Sequence, residues 1–422
     1  MTQFFLPESD DRVDPFFDFS NDTYSKDRAK GTEHDRYAHN LFDGPQCDGL
    51  LLTRSNINER RKNEIIAAGG VHQFLRLSAD VPIIADCGAF QYLAQEFPPY
   101  DPAETVRFYD ELGFNFGITL DHLVLEFDAE YDGCETLLSK RPSEEMERRS
   151  RLTLDNAKAM FDYHRSGNFS VHLLGAVQGW SPMSYAKSVT ELIDYGFDYL
   201  ALGGIARATD EQIRAVLDKV GPIAVKAGVK LHILGVARFS LLPDYQAANV
   251  ASCDSASTIL QAFKSNKDNY HTREKKYTAV RIPPATGALS PKVRKLLKAE
   301  EVESGEASAA KLHKKLIRLE QRALKDLRTY SSHGLPLDKA MKSLIAYEDE
   351  FGGEKRYYPL FEETLRDRPW EKCPCVICKD IGIEVILLRG NNRNRRRGFH
   401  NTYVFYDQFK KLRGKLISTA KA

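Results

Sequence analysis

Seven short apolar runs alternate with helix-like segments between about residues 48 and 260, and that alternation narrows the fold more than any other feature of the chain. The runs are Gly49 to Thr53, Val81 to Asp86, Phe116 to Asp121, Val171 to Gln178, Tyr199 to Gly203, Leu231 to Gly235 and Val250 to Asp254. Strands joined through helices must cross over and run parallel, and a parallel sheet is covered on both faces, which suits runs that are almost continuously apolar. At this count an α/β fold closed as a (β/α)8 TIM barrel is the economical architecture. Ile383 to Leu388 is open between an eighth strand and part of a metal subdomain.

The intervening helices have legible ends. Asp101-Pro102-Ala103-Glu104 supplies an N-cap, a proline at the first helical position and a capping-box acid, with Gly113 as the stop. Ser181-Pro182 starts a helix that Gly196 can end, and Thr209-Asp-Glu-Gln212 starts another that Gly221-Pro222 closes. Residues 291 to 350 differ in kind: Leu312, Leu316, Leu319, Ala323 and Leu327 recur at helical spacing, and Gly334-Leu-Pro336 separates two such segments. The expected organisation is a TIM-barrel catalytic body over 1–290, a helical insertion over 291–370, and a zinc-binding, basic region over 371–422 that completes the barrel.

Composition limits the class. With 42% hydrophobic and 28% charged residues the chain is ordinary for a globular protein, and no run approaches the roughly 20 apolar residues that span a bilayer. Met1 to Asp22 is rich in Asp and Phe and lacks a basic segment followed by an apolar one, so no secretory signal is read there and the cytoplasm is the expected location. The net charge of +1 hides an asymmetry: residues 291–422 hold 29 Lys/Arg against 18 Asp/Glu, which leaves −10 on residues 1–290. Such a division suits a polyanion approaching one face, and a solvated helix surface has the same composition. Of seven cysteines, Cys47, Cys87, Cys134 and Cys253 are scattered while Cys373, Cys375 and Cys378 cluster, which favours metal over disulfides.

The residues that terminate the runs carry chemistry. Asp86 follows Ile83-Ile84-Ala85, Asp121 follows Ile118-Thr-Leu120, Gln178 follows Gly175-Ala-Val177, Gly203-Gly204 follows Leu200-Ala-Leu202, and Asp254 follows Ala251-Ser-Cys253. On a barrel these positions converge on one mouth, where acids, a carboxamide and a glycine pair make a pocket for a planar heterocycle with donor and acceptor edges. Asp86 as a helix cap, Asp121 as a cap or a partner for His122, Gln178 as a core amide and the glycines as a plain turn are the structural alternatives. Phe90, Tyr92 and Trp180 adjoin these positions and either stack on a base or belong to the core.

Cys373-Pro-Cys375-Val-Ile-Cys378 places three thiolates on a tight turn, and His400 completes a four-ligand set with no open position, the pattern of a structural zinc site. Between the ligands runs a segment with Arg389, Arg393, Arg395, Arg396 and Arg397 interleaved with Asn and Gly, read as a flexible cationic loop that contacts phosphates.

Taken in order, Asp86-Cys-Gly-Ala-Phe-Gln91, Gly175-Ala-Val-Gln-Gly179, Leu202-Gly-Gly-Ile205, Leu234-Gly-Val236, Asp254-Ser-Ala-Ser257 and the cysteine cluster with its later His-Asn resemble the tRNA-guanine transglycosylases. The resemblance covers about residues 48–270 and 373–405. No archaeal-type C-terminal domain and no bacterial anticodon-reading loop is recognisable, and with the helical insertion these departures are similar to the DpdA branch, whose members put 7-deazaguanine bases into DNA. The resemblance implies that Asp254 is the nucleophile at a nucleotide C1′ and Asp86 the general acid/base. It implies that Asp121, Gln178, Gly203, Gly204 and Phe90 hold the base, and that the partners are DNA, a 7-deazaguanine such as preQ0 and an accessory ATPase. An archaeosine-like tRNA transglycosylase and a non-catalytic nucleic-acid-binding subunit of the same fold are the competing readings.

Overall fold

The computed structural model describes residues 1–28, 31–133 and 142–420, so Cys134 lies outside the described residues. Eight parallel strands close into a barrel: β1 (Gln3–Pro7), β2 (Gly49–Thr53), β3 (Ile83–Asp86), β4 (Phe116–Ile118), β5 (His172–Val177), β6 (Tyr199–Leu202), β7 (Lys230–Ile233) and β8 (Val250–Asp254). Phe5, Leu51, Ile84, Ile118, Leu174 and Ala201 from six of these strands form one buried cluster in the barrel, so the lumen is a packed core rather than a pore.

The eighth strand is β1, and it was not among the candidates. It lies between β2 and β8, with Phe5 in register with Gly49 on one side and Asp254 on the other. Among the described residues only a 3-10 helix, Ala38–Asn40, and no α-helix follows it before β2, so it breaks the alternation that marks the other seven. Ile383 to Leu388 is correspondingly not a barrel strand. Residues 382–386 form a 3-10 helix, and Leu387–Leu388 pairs in parallel with Val280–Arg281 in a separate two-stranded ladder. The barrel is therefore closed by the N-terminal strand and not by the region 371–422.

Two compact units are distinguished. One comprises residues 1–10, 47–256 and 409–422 and contains all eight barrel strands. In it Asp101 caps the helix Pro102–Glu111 by accepting from Glu104 N, and Ser181 caps Pro182–Tyr195, which Gly196 ends at φ +104°. The helix that begins at Thr209 does not close at Gly221-Pro222 but continues to Ala227, and Gly228 ends it in the left-handed region. Its buried face, Ile213, Val216, Leu217, Val220 and Ala224, runs straight through the proline. Burial of that face outweighs the one backbone hydrogen bond a proline removes.

The other unit comprises residues 11–46 and 257–408. Its core gathers Tyr270, Leu316, Leu327, Tyr347, Phe361 and Trp370. The amphipathic segments take the expected form, helices Pro291–Ser304, Glu306–Ser331 and Leu337–Glu348, and Leu316, Ala323 and Leu327 are fully buried on the second of them. Among the described residues no helix is long and apolar enough to cross a membrane.

Candidate active site

Because the strands are parallel, their carboxyl ends share one rim. Asp86 is the last residue of β3 and Asp254 the last of β8, while Gln178 and Gly203 each sit one position past β5 and β6, and Asp121 three past β4. Asp86 keeps partial access to solvent and accepts from Thr53 Oγ1 at 3.2 Å. Surrounding protein and then the negative charges of Asp121 and Asp254 push its carboxyl up to about 7, since both burial and like charge disfavour the ionised form. That shift records that both other acids lie close enough to be felt. The tight turn after Asp86 is held by Gly88 at φ +89°, where a Cβ would collide with Ser55.

Asp121 is buried, and burial raises its pKa while hydrogen bonds from Cys87 and Gln178 oppose the rise. Cys87 Sγ donates to Oδ1 at 2.9 Å and Gln178 Nε2 donates to Oδ2 at 2.5 Å. Burial keeps the Cys87 thiol protonated, so it can act as that donor. A carboxylate has about four acceptor directions, so two remain for a ligand. Gln178 is clamped at its other end, where Oε1 accepts from Val124 N at 3.2 Å. Added side chains would meet this pair at once: a Cβ on Gly204 would come within 2.8 Å of Gln178 Oε1, and one on Gly203 would strike Gln178 Nε2. The glycine pair is thus the only way backbone can pack so near the two polar side chains. Of the three neighbouring aromatics, Phe90 is 59% exposed, whereas Tyr92 is buried with its hydroxyl 3.0 Å from both Cys87 Sγ and the Asp121 carbonyl. Trp180 packs on Val124, Tyr131 and Met146.

Asp254 is almost fully buried. Its Oδ1 accepts from Gly235 N at 2.9 Å and faces His232 Nε2 at 3.2 Å. His232 Nδ1 faces Ser252 Oγ at 2.5 Å, and Ser252 Oγ faces the Tyr199 hydroxyl at 2.5 Å. Sequence reasoning missed this polar chain, together with Cys87 and Thr53. The available signal was His232 inside Lys230–Ile233 and Ser252 inside Val250–Asp254, polar residues within strands that a parallel barrel buries.

In the other unit Cys373, Cys375, Cys378 and His400 converge, with all ligand atoms within 4.8 Å of one another, a set that could hold a metal ion. The three sulfurs lie 3.6, 3.4 and 3.4 Å from His400 Nδ1. His400 Nε2 lies 2.8 Å from the His271 carbonyl, and Tyr270 stacks on the imidazole at 4.2 Å. Donation from Nε2 to that carbonyl fixes the tautomer and leaves Nδ1 free to ligate.

The arginine segment is not a flexible loop. Arg393, Arg395, Arg396 and Arg397 lie in the helix Asn391–Ala420, and Arg389, Arg393, Arg396 and Arg397 are buried. Arg389 pairs with Asp22 and Glu320, Arg393 with Asp22 and Glu384, and Arg396 with Asp380. Arg397 donates to the carbonyls of Ala262, Val385 and Leu387, and burial lowers its pKa to about 9. Arg395, partly exposed, donates to the Arg12 carbonyl and lies 3.4 Å from Asp11. The four buried guanidinium groups satisfy acceptors inside the unit, which leaves them unavailable to phosphate.

No protein-family model matches the chain. Among curated proteins, it is 33% identical to a DNA-guanine transglycosylase of Salmonella montevideo over 96% of both chains. It is 25% identical to a tRNA-guanine(15) transglycosylase of Methanocaldococcus jannaschii over 53% of this chain and 32% of that protein. A third relative, the tRNA-guanine(15) transglycosylase of Pyrobaculum aerophilum, is 29% identical over 44% of this chain and 36% of its own. With two carboxylates on the rim of a parallel barrel and a relative 33% identical over 96% of both chains, the chain belongs to the guanine transglycosylase superfamily and is a pentosyltransferase.

Proposed function

We propose that the protein exchanges guanine in DNA for a 7-deazaguanine base such as preQ0 through a covalent sugar intermediate. Asp254 attacks C1′ of the target nucleotide, the glycosidic bond breaks, and the departing guanine takes the proton held by Asp86. The incoming base then gives its ring N–H proton to Asp86 and displaces Asp254 from C1′, so acid and base are regenerated. This is the retaining logic of paired carboxylates. The observation that carries it is that Asp86 and Asp254 end strands on one rim of the barrel, with burial and neighbouring acids raising the Asp86 carboxyl to about 7 and so keeping it available as a proton donor near neutral pH.

Asp121, with Gln178 and the Gly203-Gly204 backbone, would read the base, and acceptors of this kind reject a ring that lacks the matching donors. Exposed Phe90 is available to stack on the extruded nucleotide. DNA rather than tRNA is favoured because the DNA-acting relative matches along 96% of the chain and the tRNA-acting ones along about half. The same reading carries an accessory ATPase as partner.

The four-ligand cluster fits zinc. Tetrahedral bonds of about 2.3 Å to sulfur and about 2.05 Å to nitrogen put those atoms roughly 3.5 Å apart, and the sulfur to nitrogen distances are 3.4–3.6 Å. Three thiolates and one imidazole would hold the ion without an open position, which assigns it to structure and not to the exchange step.

The test offers matched duplex DNA and tRNA with radiolabelled preQ0 to the full-length protein, alone and with cell extract that supplies accessory proteins. Label in DNA, and a denaturation-resistant protein–DNA adduct absent from Asp254→Ala, is the expected result. Label in tRNA alone would overturn the DNA assignment, and no label in either with no adduct would overturn the exchange itself.

A further inference from the structure

With the arginines near His400 buried, the positive charge available to a polyanion lies elsewhere. We propose that a lysine-rich stripe on the helix Glu306–Ser331 is the surface that grips the phosphate backbone of the nucleic-acid substrate. Lys311, Lys314, Lys315, Arg318, Arg322 and Lys325 are all exposed. At about 100° per residue they fall within one arc of roughly 100°, opposite the buried face formed by Leu316, Glu320, Ala323, Leu324 and Leu327. From Lys311 to Lys325 the stripe runs about 21 Å, the length of roughly six base steps.

Two of the six are engaged, Lys315 with Glu350 at 2.6 Å and Arg322 with Asp326 at 3.7 Å. Lys311, Lys314, Arg318 and Lys325 have no acidic partner among the described residues. Four of the stripe's cations, Lys311, Lys314, Lys315 and Arg318, also line a cavity of about 520 Å³, where Glu300 and Ser308 hydrogen-bond to each other. The preceding helix, Pro291–Ser304, adds exposed Arg294, Lys295 and Lys298. None of the large exposed apolar residues lies on the stripe. Protein interfaces are depleted of lysine and centre on apolar or aromatic anchors, so this face suits a phosphate backbone and not an acidic protein. Long lysines without a bidentate partner read charge and not sequence, as an enzyme that moves along DNA to its target requires.

The inference rests on the DNA reading above and is separable from it. Binding of a fluorescent 30-base-pair duplex is followed by anisotropy from low to high KCl for wild type and for Lys311→Gln/Lys314→Gln/Arg318→Gln/Lys325→Gln. At 0.1 M salt the variant is expected to bind roughly tenfold or more weakly, with a log–log salt slope flatter by about 2–4, since each lost phosphate contact removes about 0.9. A control that removes three charges elsewhere, Lys219→Gln/Lys226→Gln/Lys230→Gln, changes exposed lysines on the helix Asp210–Ala227 and at the start of β7 and is expected to keep the wild-type slope. Replacing Lys311, Lys314 and Lys325 by Arg is expected to keep both affinity and slope. An unchanged slope in the Gln variant, or an equal loss in the control, would overturn the stripe even if wild type exchanges guanine in DNA. Normal stripe-dependent binding with no exchange in DNA would instead overturn the reading it rests on.

Discussion

His232 Nε2 faces Asp254 Oδ1 at 3.2 Å, and both residues are buried at the carboxyl end of the barrel. With Gly235 N on the same oxygen, one lobe of the carboxylate is tied down. Ser252 and Tyr199 behind the imidazole orient it, through the hydrogen-bonded chain Tyr199, Ser252, His232, Asp254. On the proposed mechanism His232 acts on the reaction through Asp254, as a positioning residue. His232→Phe is expected to lower kcat about 10- to 100-fold with little change in KM for the base, because a small misplacement of an attacking group has that cost. His232→Gln should recover part of the rate. Steady-state exchange kinetics check this, and an unchanged kcat in His232→Phe, or a loss in KM alone, would remove the role.

Asp86 links pH to both rate and stability. Its carboxyl titrates near 7 in the folded protein, against an ordinary value near 3.8, so the folded state holds a proton that the unfolded chain releases between those values. The burial penalty is absent below about pH 4, grows as pH rises and is complete above about pH 7. Asp86→Asn removes it, and is expected to stabilise the protein at pH 8 by a few kcal/mol, on the order of 2–4, with almost no effect at pH 4. The same variant should be inactive in exchange, and the wild-type rate should fall above pH 7 as the proton donor is lost. Urea denaturation of both proteins at pH 4 and pH 8 checks the stability difference. Equal stabilities at pH 8 would show that Asp86 is ordinary.

The metal cluster makes its own prediction. Three sulfurs and one nitrogen drawn to within 4.8 Å would repel as thiolates without a cation between them. Purified protein is expected to carry one zinc per chain, and Cys375→Ser or exhaustive chelation should lower the melting temperature by roughly 10 °C or more. Elemental analysis and calorimetry are the measurements. Metal-free protein with an unchanged melting temperature would count against a structural ion.

Most of the barrel was legible because seven of its strands obey one rule, an apolar run ending at a polar residue or glycine and followed by a helical segment. Strand β1 was not, because among the described residues no α-helix follows it before β2 and its pairing with β2 and β8 is what identifies it. The rim acids could be read because each stands at the end of such a run. The chain behind Asp254 could not, since period and composition say nothing of which strand interiors face one another. The arginine segment failed for a different reason. Arg393, Arg396, Arg397, His400, Asn401 and Val404 are buried at spacings of three and four, which is a helical inner face written almost entirely in polar residues. A search for apolar periodicity passes over it.

That inner face yields the last prediction. Arg397 is fully buried, and its guanidinium donates to the carbonyls of Ala262, Val385 and Leu387 and to Asn394 Oδ1 at 2.7 Å. Removing it leaves several buried acceptors without donors and opens a cavity, so Arg397→Ala is expected to destabilise the protein by about 3–5 kcal/mol. Arg397→Lys keeps the charge but not the planar fork and should still cost about 1–3 kcal/mol. Arg395 is partly exposed, and Arg395→Ala should stay within about 1 kcal/mol of wild type. Urea denaturation ranks the three variants, and duplex binding against KCl supplies the contrast: the folded fraction of Arg397→Lys should keep the wild-type salt slope. A variant as stable as wild type but with a slope reduced by about 1 would return Arg397 to the DNA surface.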